Sequence, residues 1–275
     1  MNSVTPSVGL EKPGSGLVDL STPNLYRSGM AEETWVVFSD IHSNLEAFQA
    51  VLADMRTIRF HRMICLGDVA GYAASPKDCL DLLRTLETDV LQGNHDFAVV
   101  DDEILFDMSG PAVTGVRYAR EQLSASRRDF LAALPMVATH GKLQFVHSSL
   151  DHPEAWTYLR REPEIRAHFA VQTDPVCFCG HTHIPGVFHL GSGDEIRSLG
   201  ASGRIELPRE GKVLINAGSV GQPRDRNPDA CYVVYEKAAR TVEFRRVPYD
   251  IDAAKERIIR AGLPKITAER LSFGK

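Results

Sequence analysis

The chain has 275 residues, 43% of them apolar, and a formal net charge of −5. That is enough apolar material for one large α/β domain to bury its own core without disulfide or metal staples. Lys and Arg are scattered through a slightly acidic chain, which excludes a basic face built for duplex nucleic acid; small anionic substrates stay within reach if metal ions bring the positive charge.

Five cysteines, an odd number, include Cys65, Cys177 and Cys179 in apolar runs, where they read as small buried hydrophobes rather than as staples or zinc ligands. There is no run of about 18 apolar residues, and no basic segment leading into a shorter one, so no membrane partner and a cytoplasmic location are expected.

Residues 1–33 are rich in Pro, Gly, Ser and Thr and lack periodicity, which reads as a flexible leader, with Met30 as an alternative start; residues 34–275 follow as one domain. The run WVVFSD at 35–40 is a buried strand ending on Asp40, with His42 just beyond. A helix is expected over 44–55, where Leu45, Phe48, Leu52 and Met55 recur every three or four residues. Asn44 stands at its N-cap, and a substrate contact is the competing role. The next strand, MICLGDVAG at 63–71, has four apolar residues without alternation, so it is covered on both faces. Gly67 lets the backbone turn tightly just where Asp68 is presented. Tyr72 in the following loop is a candidate to stack on a base or aryl group, and Pro76 opens a helix carrying Leu80, Leu83 and Leu86. A third strand at 88–92 runs into Gly93-Asn94-His95-Asp96, and helical patterns follow at 112–123 and 126–134.

The second half is richer in strands. One at 142–147 ends on His147, and one at 175–179 runs into Gly180-His181-Thr182-His183. Strands at 186–190, 203–207, 212–216, 230–236 and 241–247 read as hairpins or a meander, and a helix at 252–261 closes the chain. Strands thus deliver polar groups at their carboxyl ends, the edge where open α/β sheets bind ligands. The order fits an α/β fold of four layers, an α-β-β-α sandwich.

The polar set is oxygen and imidazole without thiolate, which suits Mn²⁺, Fe or Zn²⁺. Asp68 is the acid placed to bridge two such ions, and a pair of ions lowers the pKa of a bridging water while neutralising a phosphoryl group. His95 lies beside a donor without being one. It is the candidate to protonate the leaving group, with Asp96 to orient its ring. Arg224 and Arg226 occupy a polar loop that reads either as a solvated turn or as an approach to the substrate phosphate. His61, His140, His152, His168 and His189 have no motif around them and read as surface or packing residues.

Asp40-x-His42, Gly67-Asp68-x-x-Gly71, Gly93-Asn94-His95-Asp96, His147 and Gly180-His181-Thr182-His183 resemble the five ordered motifs of the calcineurin-like metallophosphoesterases. The resemblance implies that superfamily's four-layer fold and two divalent ions, Mn first, with Fe, Zn, Ni or Mg as alternatives. It implies Asp40, His42, Asp68 and His183 around one ion, and Asp68, Asn94, His147 and His181 around the other. It also implies His95 at the leaving group. Residues 67–76 and 216–224 are similar to the small bacterial and archaeal phosphodiesterases of that superfamily. Ser43 departs from the usual glycine, and Ala217 from a frequent proline.

The expected function is hydrolysis of a nucleotide-like or other small phosphodiester by hydroxide bridging two ions; the sequence carries no sign of the oligomeric state. Protein phosphatases and dinucleoside polyphosphate hydrolases would carry Asp-Arg-Gly where this chain has Asp68-Val69-Ala70-Gly71-Tyr72, so phosphomonoesters and dinucleoside polyphosphates are the alternative substrates. A catalytically silent scaffold is the alternative of another class, opposed by the completeness of the donor set. Ala217-Gly218-Ser219-Val220-Gly221 weakly resembles a serine-hydrolase nucleophile elbow, but lacks its first glycine and leaves the metal motifs unexplained.

Overall fold

A computed structural model describes residues 33–275 of the chain. Except for Glu33, the expected leader and Met30 lie outside the described residues. The first half lays down β1 (Thr34–Phe38), α1 (Leu45–Met55), β2 (Arg62–Cys65), α2 (Pro76–Leu83), β3 (Asp89–Val90), α3 (Asn94–Val100), α4 (Gly110–Gln122) and α5 (Ala125–Ala132). The second half adds β4 (Val137–His140), β5 (Leu143–Val146), α6 (Glu162–Val171) and β6 (Val176–Cys179), then β7 (Gly186–Leu190), β8 (Ile196–Gly200), β9 (Gly203–Glu206) and β10 (Lys212–Asn216). It closes with β11 (Ala230–Glu236), β12 (Thr241–Val247), α7 (Ile251–Arg260) and α8 (Lys265–Glu269).

Two six-stranded sheets form, in the orders β3-β2-β1-β11-β12-β9 and β4-β5-β6-β10-β7-β8. In the first, β1, β2 and β3 are parallel and β11 joins β1 antiparallel. In the second, β5, β6 and β10 are parallel. β1, β2, β6 and β10 carry apolar runs because both of their faces are covered. Trp35 and Val37 of β1 join Phe145, Phe178, Val213 and Ile215 between the sheets, while Val36 and Phe38 pack with Phe48, Val51 and Leu52 of α1. On the far side, Cys177, Cys179 and Leu214 meet Ile165 and Phe169 of α6. The result is the expected α-β-β-α sandwich. Its central layer is dense: the rings of Phe145 and Phe178 stack 5.3 Å apart, both fully buried, and truncating either to Ala would cost about 3–5 kcal/mol.

The expected meander is corrected. β9 pairs with β12 in the first sheet, whereas β10 lies in the second, between β6 and β7. Of the later strands, β7–β8 and β11–β12 are hairpins. The edge strands β4 and β8 and the helices α6 and α8 were not expected. All five cysteines are buried and free. Among the described residues no helix is long and apolar enough to cross a membrane.

Candidate metal centre

Five of the six parallel strands, all but β10, lead into segments that carry donors. Asp40 and His42 follow β1, Asp68 follows β2, Asn94 opens α3 after β3, His147 follows β5, and His181 and His183 follow β6. Backbone bonds lace these loops together, with the N–H groups of Asp40, His42 and Ser43 donating to the carbonyls of Gly67, Asp68 and Val69 at 2.9–3.0 Å. The loops approach so closely that a Cβ on Gly93 would overlap the Asp68 carboxylate, and one on Gly180 would overlap Ser39 and Asp40.

The donors converge in two groups that share Asp68. Asp40, His42, Asp68 and His183 each offer an atom within 4.8 Å of the others, and so do Asp68, His147 and His181. Asp68 Oδ2 faces His42 Nε2 at 3.5 Å and His147 Nε2 at 3.3 Å, while its Oδ1 accepts the His95 N–H at 2.8 Å. Asp40 divides its oxygens likewise: Oδ1 faces His183 Nε2 at 3.3 Å, and Oδ2 accepts the His181 N–H at 3.1 Å.

Tautomers support the same reading. Backbone carbonyls of Ala70, Leu66 and Gln222 lie 3.1, 2.9 and 2.6 Å from Nδ1 of His42, His147 and His183. A carbonyl only accepts, so each Nδ1 donates, and each Nε2 can present its lone pair to the centre, as metal-bound imidazoles do. Asp40 Oδ1, Asn94 Oδ1, His147 Nε2 and His181 Nε2 are buried without a hydrogen-bond partner. Buried polar atoms are rarely left so, and a cluster of unpartnered carboxylate, amide and imidazole donors fits a pair of divalent ions with oxygen and nitrogen ligands.

Charge follows from this crowding. Burial by itself would raise the Asp68 pKa, but the imidazoles of His147, His95 and His42 hold it well below the usual carboxylate range. Burial lowers the pKa of His147, and the Asp68, Asp40 and Asp96 carboxylates reverse that and push it up to about 9. Burial dominates at His181 and His183, which are held well below their ordinary value, and at His95, which falls to about 3.

The expected residues divide into those the structure brings to the centre and those it employs elsewhere. Tyr72 lies between His42 and His95, with ring centroids 4.8 and 4.6 Å away, and Arg224 donates to its hydroxyl at 3.1 Å. Both residues line a cavity of about 680 Å³ that opens beside Asn94, His95 and His181. Arg224 is therefore no solvated turn residue. Asp96 does not orient His95. Its carboxylate accepts the backbone N–H groups of Val69, Ala70 and Gly93 at 3.0–3.3 Å, pinning the start of α3 to the loop after β2. Asn44 is a cap rather than a substrate contact. It is 1% exposed, and its amide is spent on Ala47 N–H, Gly221 O and the Tyr249 hydroxyl.

Ser219 is fully buried and donates to the Asp40 carbonyl, so it is a strut rather than a nucleophile. Of the two departures from the family pattern, that at Ala217 finds a reason, while Ser43 keeps the backbone that a glycine adopts freely. Ser43 takes φ 58°, a conformation natural to glycine, and Ala217 donates its N–H to Cys179 O, a bond proline could not make. Sequence reasoning missed Trp156, Tyr158, Arg160 and Arg270 on the cavity wall. Tyr158 and Arg160, an aromatic and a cation soon after His147, were a visible signal; Arg270 had none.

Residues 34–239 match the Calcineurin-like phosphoesterase superfamily domain. An uncharacterized protein of Methanocaldococcus jannaschii is 36% identical, over 90% of this chain and all of its own length. A metallophosphoesterase from Sphaerobacter thermophilus has a similar structure, with a TM-score of 0.77 and 32% identity, over 89% of this chain and 100% of that one. A hypothetical protein of Pyrococcus horikoshii shares the fold at a TM-score of 0.71 and 18% identity, over 88% of this chain and 98% of the other. With its family match, its fold and its Asp/His cluster of donors for divalent ions, the chain belongs to the calcineurin-like phosphoesterase superfamily.

Proposed function

We propose that the chain is a phosphodiesterase acting on small, nucleotide-like phosphodiesters with two divalent ions, Mn²⁺ foremost. The observation that carries this reading is a set of Asp and His donors in two groups joined by Asp68, beside a cavity of about 680 Å³ that Asn94, His95 and His181 line. Asp40, His42, Asp68 and His183 would hold one ion and Asp68, Asn94, His147 and His181 the other, which would supply Lewis-acid polarisation of the phosphoryl group and activation of a water. In-line displacement then asks the protein mainly for alignment and for charge at the leaving oxygen.

His95 is neutral at pH 7, because burial lowers its pKa to about 3. Its ring lines the cavity and carries one N–H to offer the leaving oxygen. Arg224, held by Tyr72 Oη and Gln222 Oε1, is placed to steady a phosphoryl oxygen. Arg224 also favours a second reading, hydrolysis of phosphomonoesters, because it brings to the centre the guanidinium that the loop after Asp68 lacks. The five reduced, buried cysteines are compatible with a cytoplasmic location.

The test is hydrolysis of bis-p-nitrophenyl phosphate against p-nitrophenyl phosphate by metal-stripped protein refilled with Mn²⁺. Preferential cleavage of the diester is expected. Preference for the monoester would move the second reading forward, and cleavage of neither ester with any divalent ion bound would favour a silent scaffold.

A further inference from the structure

Beyond the metal donors, the cavity holds more positive charge than one phosphodiester uses. Arg160, Arg224 and Arg270 all line it, from the loop after β5, the loop after β10 and the end of the chain. Arg224 and Arg270 are half-buried, and the Nε atom of each is buried without a partner. None of the three pairs with an acid among the described residues, whereas most of the other described arginines do, as Arg245 does with Asp54 and Arg246 with Asp225. Burial and the positive charge of Arg224 hold Arg270 below the usual guanidinium range, so these two cations repel each other. The two acids on the wall, Asp107 and Glu154, are exposed, and Glu154 is engaged by His152 at 3.1 Å.

Aromatic rings stand between Arg160 and the metal donors. Tyr158 stacks on His181 with centroids 3.9 Å apart, Arg160 lies over the Tyr158 ring at 4.6 Å, and Trp156 meets His147 edge-on at 6.0 Å. A guanidinium buried without an acid is costly unless a ligand completes it, and its planar fork matches phosphate or carboxylate oxygens.

We infer that the substrate carries a second anionic group, phosphate or carboxylate, beyond the scissile phosphorus, and that Arg270 grips it with Arg160 at the mouth and Arg224 between the two anions. The inference rests on the phosphoester reading and deepens it: the substrate is a phosphoester bearing at least two anions. Arg224 serves the phosphoryl group at the centre. Arg270 serves only the remote charge, so it sets which phosphoester is chosen.

The test is a calorimetric measurement of affinity on Mn²⁺-loaded full-length protein in excess Mn²⁺. The probes are adenosine monophosphate, adenosine diphosphate, and the adenosine bisphosphate with its phosphates on separate ribose carbons. At least one of the two doubly phosphorylated probes should bind about tenfold or more tighter than the monophosphate, as a charge-assisted bond to a second anion would give. Arg270→Ala and Arg270→Gln should bring that ratio toward one, and Arg270→Lys should restore part of it. Arg260→Ala, which removes an exposed arginine of α7 paired with Glu256, should leave the ratio as it is.

Equal binding of all three probes by the wild type, or a ratio untouched in both Arg270→Ala and Arg270→Gln, overturns the inference. Failure of the hydrolase reading looks different. Cleavage of bis-p-nitrophenyl phosphate by a protein without the preference sinks only the second anion, whereas an Arg270-dependent preference in a protein that cleaves neither ester sinks only the chemistry.

Discussion

His168 ties α6 to the loop that follows His147, and that tie should fail in acid. Its ring is fully buried, with Nδ1 accepting the Leu150 N–H at 3.1 Å and the Ser149 hydroxyl 3.5 Å away. Nδ1 can accept only while it carries no proton. Burial, with the Lys212 ammonium adding to it, pushes the pKa down from 6.5 to about 4. Between those values the unfolded chain binds a proton that the folded chain refuses. The stability is therefore fully present above 6.5 and is lost as pH falls toward 4. That gap corresponds to about 3 kcal/mol, of which about 2 kcal/mol is lost between pH 7 and pH 5. The assay is urea unfolding of wild type and His168→Asn across that range. Asn places an oxygen near the position of Nδ1 and does not titrate, and every other group titrates alike in both proteins. The variant should be flatter than wild type by about 2 kcal/mol between the two pH values. Parallel curves would refute the placement of His168 as a neutral acceptor.

Asp68→Asn should lower the metal content measured by elemental analysis in both groups at once and abolish turnover, because this carboxylate is the donor they share. His95→Ala should retain the metals and lose roughly a hundredfold or more in rate on an ester with a poor leaving group; full activity there would remove it from the leaving oxygen. Gly93→Ala should cost about 1–3 kcal/mol in urea unfolding and weaken metal retention, because its Cβ displaces the Asp68 carboxylate. Gly110→Ala, where a Cβ meets nothing within 4 Å, should cost no stability, and an equal loss in both variants would show that the close approach at Gly93 is not the cause.

Most donors were legible because one rule placed them: a continuous apolar run marks a strand covered on both faces, and the polar residues just past its carboxyl end face the ligand edge of the sheet. Asp40, Asp68 and His181 obey it, whereas Asn94 follows a strand with Asp89 exposed and His147 one interrupted by Gln144. Covering both faces also erases the alternation that tells which sheet a strand joins, so the place of β10 in the second sheet and the pairing of β11 with β1 could not be read. β4 and β8 escaped for the opposite reason. Their burial is partial throughout, so their side chains are not selected to be apolar. Asn44 and Asp96 illustrate a different limit. A short polar side chain at a loop–helix junction serves a cap or a ligand equally well in sequence, and only its partners decide. Arg270 is farther out of reach, since more than forty positions of chain part it from Arg224 and the meeting exists only in the fold.

The conformations of the donor loops explain why site and fold cannot be separated. Asp40, His42, Asp68, His181 and His183 all have φ between 48° and 63°, as do Ser43 and Tyr72 beside them. In that left-handed region a residue with a Cβ costs about 1 kcal/mol or more, so five donors together consume a sum comparable to the lower end of a domain's net stability. Glycine would relieve each position but bring no ligand. The strain is instead held by bonds that no single loop could make alone: Asp40 and His42 donate to the loop after β2, Gly221 donates to Asp40 O, and Arg224 donates to His183 O. Each donor is thus aimed by a neighbour from another strand. The centre assembles only when both sheets are in place, and a loop transplanted without its partners would relax away from the geometry that makes it a ligand.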